Sequence, residues 1–350
     1  MALLWFTGPP NTDTTTLGWL QPNPFTTSTN ASFVASTRGT SGSVQNGGNA
    51  YSVEKDLGTT YTELIFGFAA KKYSAGASGP STTSPLVQLE DASGVANLKF
   101  SFDTDYKMRV YNGDNTLLGT ATKATVALQA TDGWCYIEAH VVIHDTTGSV
   151  QVKIDEETVI NLTNVDTHNA AAAASVQNFK WQCFAGKGAH LQDFYICDTT
   201  GSAPYNTFLG NVMVDVIRPT GAGTTTELTP TTGANWQNVD EPRSVEGDNQ
   251  SNYATTDDKA DTYQMADMSE TPVSILAVQT NCIARTDSGT GTVKNITRVN
   301  GTDYLGAEQE TVDAYIRISD KYTENPDDSA EWELADVNGM EAGFQVISIP

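Results

Sequence analysis

Acid-base chemistry on a glycan needs two carboxylates held across a cleft, one of them with a raised pKa. This chain of 350 residues is rich in carboxylates, 42 Asp and Glu against 19 Lys and Arg. The densest group in its first half, Asp155-Glu156-Glu157, stands between two strand-like runs. Adjacent like charges at a turn repel one another and stay solvated, so it reads as a hairpin tip. Glu138 and Asp193 lie within strand-like runs, and alternation puts Glu138 on the face opposite Cys135 and Ile137, the position of a solvent-facing residue. His140 and His144 are an even number apart and can share a strand face; His168 and His190 stand in other segments. Imidazoles can move protons or bind metals, yet no nucleophile-elbow sequence accompanies these four. The expectation is a protein with no catalytic residues.

For a cation the best-furnished stretch is Asp240-Glu241, Glu246, Asp248, Asp257, Asp258 and Asp261. Asp257, Asp258 and Asp261 are the candidate ligands there, and calcium, a hard ion that takes oxygen donors, is the cofactor they would suit. The cysteines, Cys135, Cys183, Cys197 and Cys282, form no Cys-x-x-Cys pair and have no histidine at zinc spacing. They read as small buried hydrophobes, with a Cys183 to Cys197 disulfide left open. No glycine-rich loop carries a phosphate-binding lysine signature. The formal charge of −23 opposes a groove that tracks a phosphate backbone, so nucleic acid is not an expected partner. No run reaches the roughly 18 apolar residues of a membrane span, and the opening Met-Ala-Leu-Leu-Trp-Phe reads as a first strand rather than a signal peptide.

The elements that must position these residues are strands. Thr, Ser, Gly, Asn and Asp punctuate the chain, and between them stand short runs rich in Val, Ile, Tyr and Phe with period-two alternation, as at 62–69, 96–103, 134–143, 149–154, 176–184 and 192–197. Asn112-Gly113-Asp114-Asn115 and Asp155-Glu156 supply residues that tolerate positive φ, as tight hairpins require. No sustained stripe at helical spacing occurs. The fold expected is all-β, two antiparallel β-sandwich, jelly-roll-like domains in tandem. The composition changes after Cys197, which places a first domain at 1–200, a linker at 201–210 and a smaller domain at 211–350 with a long polar loop at 221–261.

Several runs also resemble, in order, a group of bacteriophage virion proteins. Trp134-Cys135-Tyr136-Ile137-Glu138 with Ile143-His144-Asp145 is similar to that family's Trp-Tyr-Tyr-Ile-Glu strand and Ile-His-Asp turn. Asp193-Phe194-Tyr195-Ile196-Cys197-Asp198 followed by Phe208-Leu209-Gly210-Asn211 resembles its closing strand and Phe-Leu-Gly-Asp restart. Thr232-Gly233-Ala234-Asn235 with Val239-Asp240-Glu241, and Val337-Asn338-Gly339-Met340-Glu341-Ala342-Gly343, are similar to its later motifs. The opening 11–50 matches poorly. The resemblance implies an N-terminal concanavalin-A-like, laminin-G-like domain and a non-enzymatic structural protein located in the virion and assembled in the host cytoplasm, as a capsid decoration or in the tail. Its partners would be other virion proteins and further copies of itself in a homo-oligomer. Because concanavalin-A-like sandwiches often present a face to sugars, the alternative function is a host-surface glycan-binding adhesin of the tail, with a glycan-degrading enzyme ranked after it, and a host-surface glycan is a further expected partner with Trp134, Trp181 and Asp193 as candidate contacts.

Overall fold

The computed structural model describes residues 3–8, 25–29, 32–34, 38, 43–46, 52–72, 85–103, 105–125, 128, 133–182, 189–240 and 250–350. Cys183, Glu241, Glu246 and Asp248 lie outside them. Strands dominate throughout, and the chain divides into two compact units after Val214.

The first unit holds β1 (Leu3–Thr7), β2 (Thr27–Thr29), β3 (Ser32–Val34), β4 (Ser43–Asn46), β5 (Ser52–Tyr61), β6 (Glu63–Lys72), β7 (Val87–Glu90) and β8 (Ala96–Phe102). It continues with β9 (Met108–Asn112), β10 (Leu117–Thr120), β11 (Trp134–Val142), β12 (Gly148–Ile154), β13 (Glu157–Val165), β14 (Val176–Gln182) and β15 (Ala189–Cys197). They form two antiparallel sheets. One has eight strands in the order β13-β12-β11-β6-β15-β4-β3, with β1 added on β15; the other has seven, β10-β9-β8-β7-β14-β5-β2. Neighbours distant in sequence, such as β6 beside β11 and β7 beside β14, give the sheets jelly-roll-like crossings.

The local causes are plain. In β12 every second residue from Gly148 to Ile154 is buried, so Val150, Val152 and Ile154 face the core while Ser149, Gln151 and Lys153 face out. Asp155 and Glu156 both take positive φ, +48° and +68°, which turns the chain tightly into β13. Inward faces of the two sheets meet in one apolar cluster that includes Phe66, Phe68, Ile137, Val141, Phe100, Val110, Phe179 and Trp181.

The second unit holds β16 (Pro219–Thr226), β17 (Thr229–Pro230), β18 (Asn252–Tyr253), β19 (Lys259–Met265), β20 (Val278–Ala284), β21 (Gly291–Val299), β22 (Thr302–Leu305), β23 (Gln309–Thr311), β24 (Ile316–Tyr322), the short helix α1 (Leu334–Gly339) and β25 (Glu341–Ser348). Its main sheet runs β16-β19-β25-β21-β22 with β23 on β21; β17 pairs with β18 and β20 with β24. Val299, Trp332, Val337 and Met340 centre a small core, with Ile275, Val278, Tyr304 and Tyr322 packed against it.

Two expectations about the chain's organisation are corrected. The stretch 221–261 is not one long loop, since it contains most of β16, all of β17 and β18 and the start of β19. Buried Asp261 organises it by accepting hydrogen bonds from the Glu227 and Leu228 amides (2.7 and 2.9 Å), the Asn235 side-chain amide (2.6 Å) and the Tyr263 hydroxyl (3.0 Å). The segment 201–210, read as a linker, belongs with residues through Val214 to the first unit. The bonds that hold it there make the first of two sites described next.

Candidate functional site

On the outer face of the eight-stranded sheet, Glu138, Gly67 and Tyr195 lie side by side on β11, β6 and β15. A Cβ on Gly67 would collide with the Tyr195 ring and meet that of Tyr136, so only glycine lets the Tyr195 phenol cross β6. Its hydroxyl then donates to Glu138 Oε1 at 2.5 Å. Gly67→Ala is accordingly expected to destabilise the first unit by about 1–3 kcal/mol through overpacking, seen as a lower melting temperature; an unchanged melt would mean that the Tyr195 ring is free to move aside.

A bulge in β15 between Gln192 and Tyr195 places Asp193 at φ +53°. Its buried carboxylate pairs with Arg38 Nε at 2.7 Å and accepts a hydrogen bond from Gln192 Nε2 at 3.1 Å. The Tyr136 hydroxyl donates to the Asp193 carbonyl at 2.9 Å, and Arg38 stacks over the Tyr136 ring, 5.4 Å from its centroid.

This network grips the segment that leaves β15. The Leu209 amide donates to Tyr195 Oη at 3.3 Å, the Gly210 amide to Glu138 Oε1 at 2.9 Å and the Val214 amide to Asp193 Oδ1 at 3.1 Å. Arg38 donates to Asn211 Oδ1 and to the Val212 carbonyl at 2.5 and 2.8 Å. Phe208 lies under Lys153 Nζ, 4.6 Å from the ring centroid, and edge-on to His140. Burial raises the pKa of Glu138, opposed by the Tyr195 hydroxyl and the Gly210 amide, and raises that of Asp193, opposed by Arg38. Glu138 is 1% exposed, which corrects its reading as a solvent-facing residue. Alternation does put it on the outer face; the returning chain covers that face.

The second site is the outer face of the seven-stranded sheet. With Leu98, Phe100, Val110, Phe179 and Trp181 turned to the core, Glu54, Lys180, Gln88, Lys99 and Tyr111 stand opposite one another on β5, β14, β7, β8 and β9. Lys180 pairs with Glu54 at 2.6 Å, and Lys99 donates to the Gly113 carbonyl and Asn115 Oδ1 at 2.7 and 3.0 Å. Two residues along β7 from Gln88 comes Glu90, 9% exposed. Burial, above all, pushes its carboxyl up to about 7; Glu54 and Asp91 add to the shift and Lys180 and Lys99 oppose it.

A carboxyl raised in the folded state stabilises the fold fully below its unfolded pKa of about 4.3, and that contribution is lost as pH rises through about 7. Glu90→Gln is therefore expected to melt above the parent at pH 8 and level with it near pH 4. Thermal scans at both values check this, and equal gaps at the two would contradict it.

The residues singled out from the sequence fall as follows. Trp181 is fully buried among Trp5, Phe25, Phe68, Phe179 and Phe194, and its ring faces are taken. Asp193 is sealed in the network just described, so neither it nor Trp181 meets a sugar. Trp134 is half-buried at the end of β11, with Lys71 Nζ 5.9 Å from its ring centroid and His190 edge-on. Asp257 and Asp258 are exposed, Asp257 accepting the Ile349 amide at 2.9 Å, whereas the oxygens of Asp261 are occupied by donors. Among the described residues no group of three or more His, Cys, Asp or Glu is gathered to hold a metal ion. Asp155, Glu156 and Glu157 are exposed at their hairpin. No sequence signal marked Glu90, Gln88 or Lys99; the alternation of β7 and its register with β8 bring them to one face.

No family model matches the chain, and no curated protein matches it. Among solved structures it is similar to a sialidase, with TM-score 0.34 and 12% identity over 48% of this chain and 17% of that one. It is also similar to alginate lyase Aly36B, at TM-score 0.30 and 9% identity over 44% of this chain and 79% of that one. A third is the carbohydrate-binding module CBM66 from Bacillus subtilis, at TM-score 0.33 and 8% identity over 49% and 94%. The chain spans about 17% of that sialidase's length.

Proposed function

We propose that this chain is a non-enzymatic structural component of a bacteriophage particle, placed on the capsid as a decoration or in the tail and acting by docking to other virion proteins. One observation carries the reading. Three of the runs through which the sequence resembles virion proteins contribute residues to the network on the eight-stranded sheet. Glu138 closes the Trp-x-Tyr-Ile-Glu run, Asp193 and Tyr195 belong to the Asp-Phe-Tyr-Ile-Cys-Asp run, and Tyr195 and Glu138 hold the restart Phe208 to Asn211 by its Leu209 and Gly210 amides, with Asp193 holding Val214 just beyond it.

Within this reading no reaction is assigned to the chain. A glycan hydrolase needs one carboxylic acid and one carboxylate open to substrate, whereas Glu138 Oε1 and the oxygens of Asp193 and Asp261 are taken by donors within the protein. The second unit suits a docking role. Its buried apolar side chains among the described residues are few, Leu228, Tyr263, Val293, Ile296, Val299, Ile318, Trp332, Val337 and Met340, while Tyr253, Val273, Leu305 and Val312 are exposed. Burial against a partner would take these side chains out of water.

The test is to band particles of the encoding virus in a density gradient, digest them and quantify peptides of this chain against those of the major shell protein. A fixed ratio that survives rebanding at high salt supports the reading; peptides confined to the soluble fraction overturn it.

A further inference from the structure

The ribbon of β20 and β24 in the second unit turns one face to the main sheet. Thr280 Oγ1 lies 2.6 Å from Thr297 Oγ1, and Asp320 Oδ2 accepts a hydrogen bond from the Asn295 side-chain amide at 2.8 Å, so Thr280 and its cross-strand partner Asp320 look onto β21. Alternation sends Gln279, Asn281, Arg317 and Ser319 to the opposite face, where Asn281 and Ser319 are exposed. There four donors converge on one neutral oxygen. Asn281 Oδ1 accepts from Gln279 Nε2 and Ser319 Oγ, each at 2.7 Å, and from Arg317 through Nε at 3.1 Å and Nη2 at 2.9 Å. An amide oxygen has two lone pairs, so the donors outnumber what it can take. Arg38, Arg109, Arg285 and Arg298 each pair with an aspartate. Arg317 has no carboxylate partner among the described residues, and burial pulls the pKa of its guanidinium down to about 10.

We propose that this face is a docking site for a carboxylate side chain of a partner protein, an Asp or Glu held by Arg317, Ser319 and Gln279. The chemistry selects that group. The Nε and Nη2 donors of one guanidinium form a fork that matches the two oxygens of a planar carboxylate, and Asn281 offers the fork a single uncharged oxygen. One positive charge among neutral donors suits a singly charged ligand. A phosphate or sulfate carrying two charges would leave one uncompensated on a chain of net charge −23. On an exposed face a small free carboxylate has little to hold it beyond these bonds, whereas a protein brings further contact area with it. The inference does not rest on the assignment to a virus particle.

The experiment follows the arginine Nε–H signals of the isotope-labelled full-length chain by NMR, the Arg317 signal being assigned by its loss in Arg317→Lys. The probes are a capped Gly-Glu-Gly peptide, its Gly-Gln-Gly counterpart and sodium sulfate. The Arg317 signal is expected to shift saturably with the Glu peptide and not with the Gln peptide, while the signals of Arg109 and Arg298, already paired, stay in place. Asn281→Asp supplies the carboxylate from within the chain; it is expected to melt no lower than the parent and to bind the Glu peptide roughly tenfold or more weakly. Glu and Gln peptides acting alike, sulfate shifting Arg317 at lower concentration than the Glu peptide, all arginine signals moving together, or Asn281→Asp binding as the parent does would each overturn the proposal.

Discussion

Asp193→Ala is expected to lower the melting temperature of the first unit by roughly 6–20 °C. The carboxylate is completely buried and Arg38 is its ionic partner at 2.7 Å. Removing one member of such a pair leaves the other desolvated and uncompensated, a loss of about 3–5 kcal/mol, and a domain of this size shifts by about 2–4 °C for each kcal/mol. The damage should be local as well as global, because Val214 loses its acceptor and Arg38 loses the anchor that aims it at Asn211 and Val212. Hydrogen exchange should therefore speed up at the Val214 amide before the core strands respond. Arg38→Ala is expected to cost a similar amount, and the double variant little more than either single one, since both remove the same interaction. Strictly additive losses would show that the two side chains act separately and that the network is not one device.

Trp181→Ala and Trp134→Ala are expected to part company. Trp181 sits with no exposed surface where Trp5, Phe25, Phe68, Phe179 and Phe194 converge. Truncating a ring in such a place costs about 3–5 kcal/mol, transfer and cavity together, again roughly 6–20 °C in the melt. Its indole N–H is buried without a hydrogen-bond acceptor. Trp181→Phe, which deletes that orphaned donor while keeping a ring, should cost much less than Trp181→Ala. Trp134, half-buried with one neighbour lysine and one histidine at its ring, should cost less than about 1 kcal/mol when truncated. Differential scanning calorimetry of the three variants gives the comparison directly. Similar losses for Trp134→Ala and Trp181→Ala would mean that the two rings share the load of the core.

How far the sequence could be read follows from the range of the interactions involved. β12 and its hairpin were legible because both signals are local: apolar residues at every second position, then Asp155 and Glu156 at the turn. β16 was not, since Pro219, Gly221, Ala222 and Gly223 are poor strand formers that interrupt its threonines, and it becomes a strand by pairing with β19 and through the bond from the Thr225 amide to Thr262 Oγ1. The same range effect governs the sites. Alternation gives the correct face for Glu138 and the wrong environment, because the amide that covers it comes from Gly210, 72 residues later. Trp181 and Asp193 carry the residue types of a sugar site, yet each points where its strand's own pairing sends it: one into the core, one onto Arg38. Gln88, Glu90, Lys99 and Tyr111 look ordinary in the chain and gather only through the order β14-β7-β8-β9.

The central claim is that this chain, in which Glu138 and Asp193 hold the segment leaving β15, serves as a structural part of a virus particle. A cryo-electron microscopy map of intact particles, searched with each unit separately, tests it most directly. The account predicts density matching the first unit's eight- and seven-stranded sheets at symmetry-related positions on the shell or tail, with 208–214 ordered against the outer face of the larger sheet. A map in which every surface density is explained by other chains, and no position accepts either unit, would contradict it.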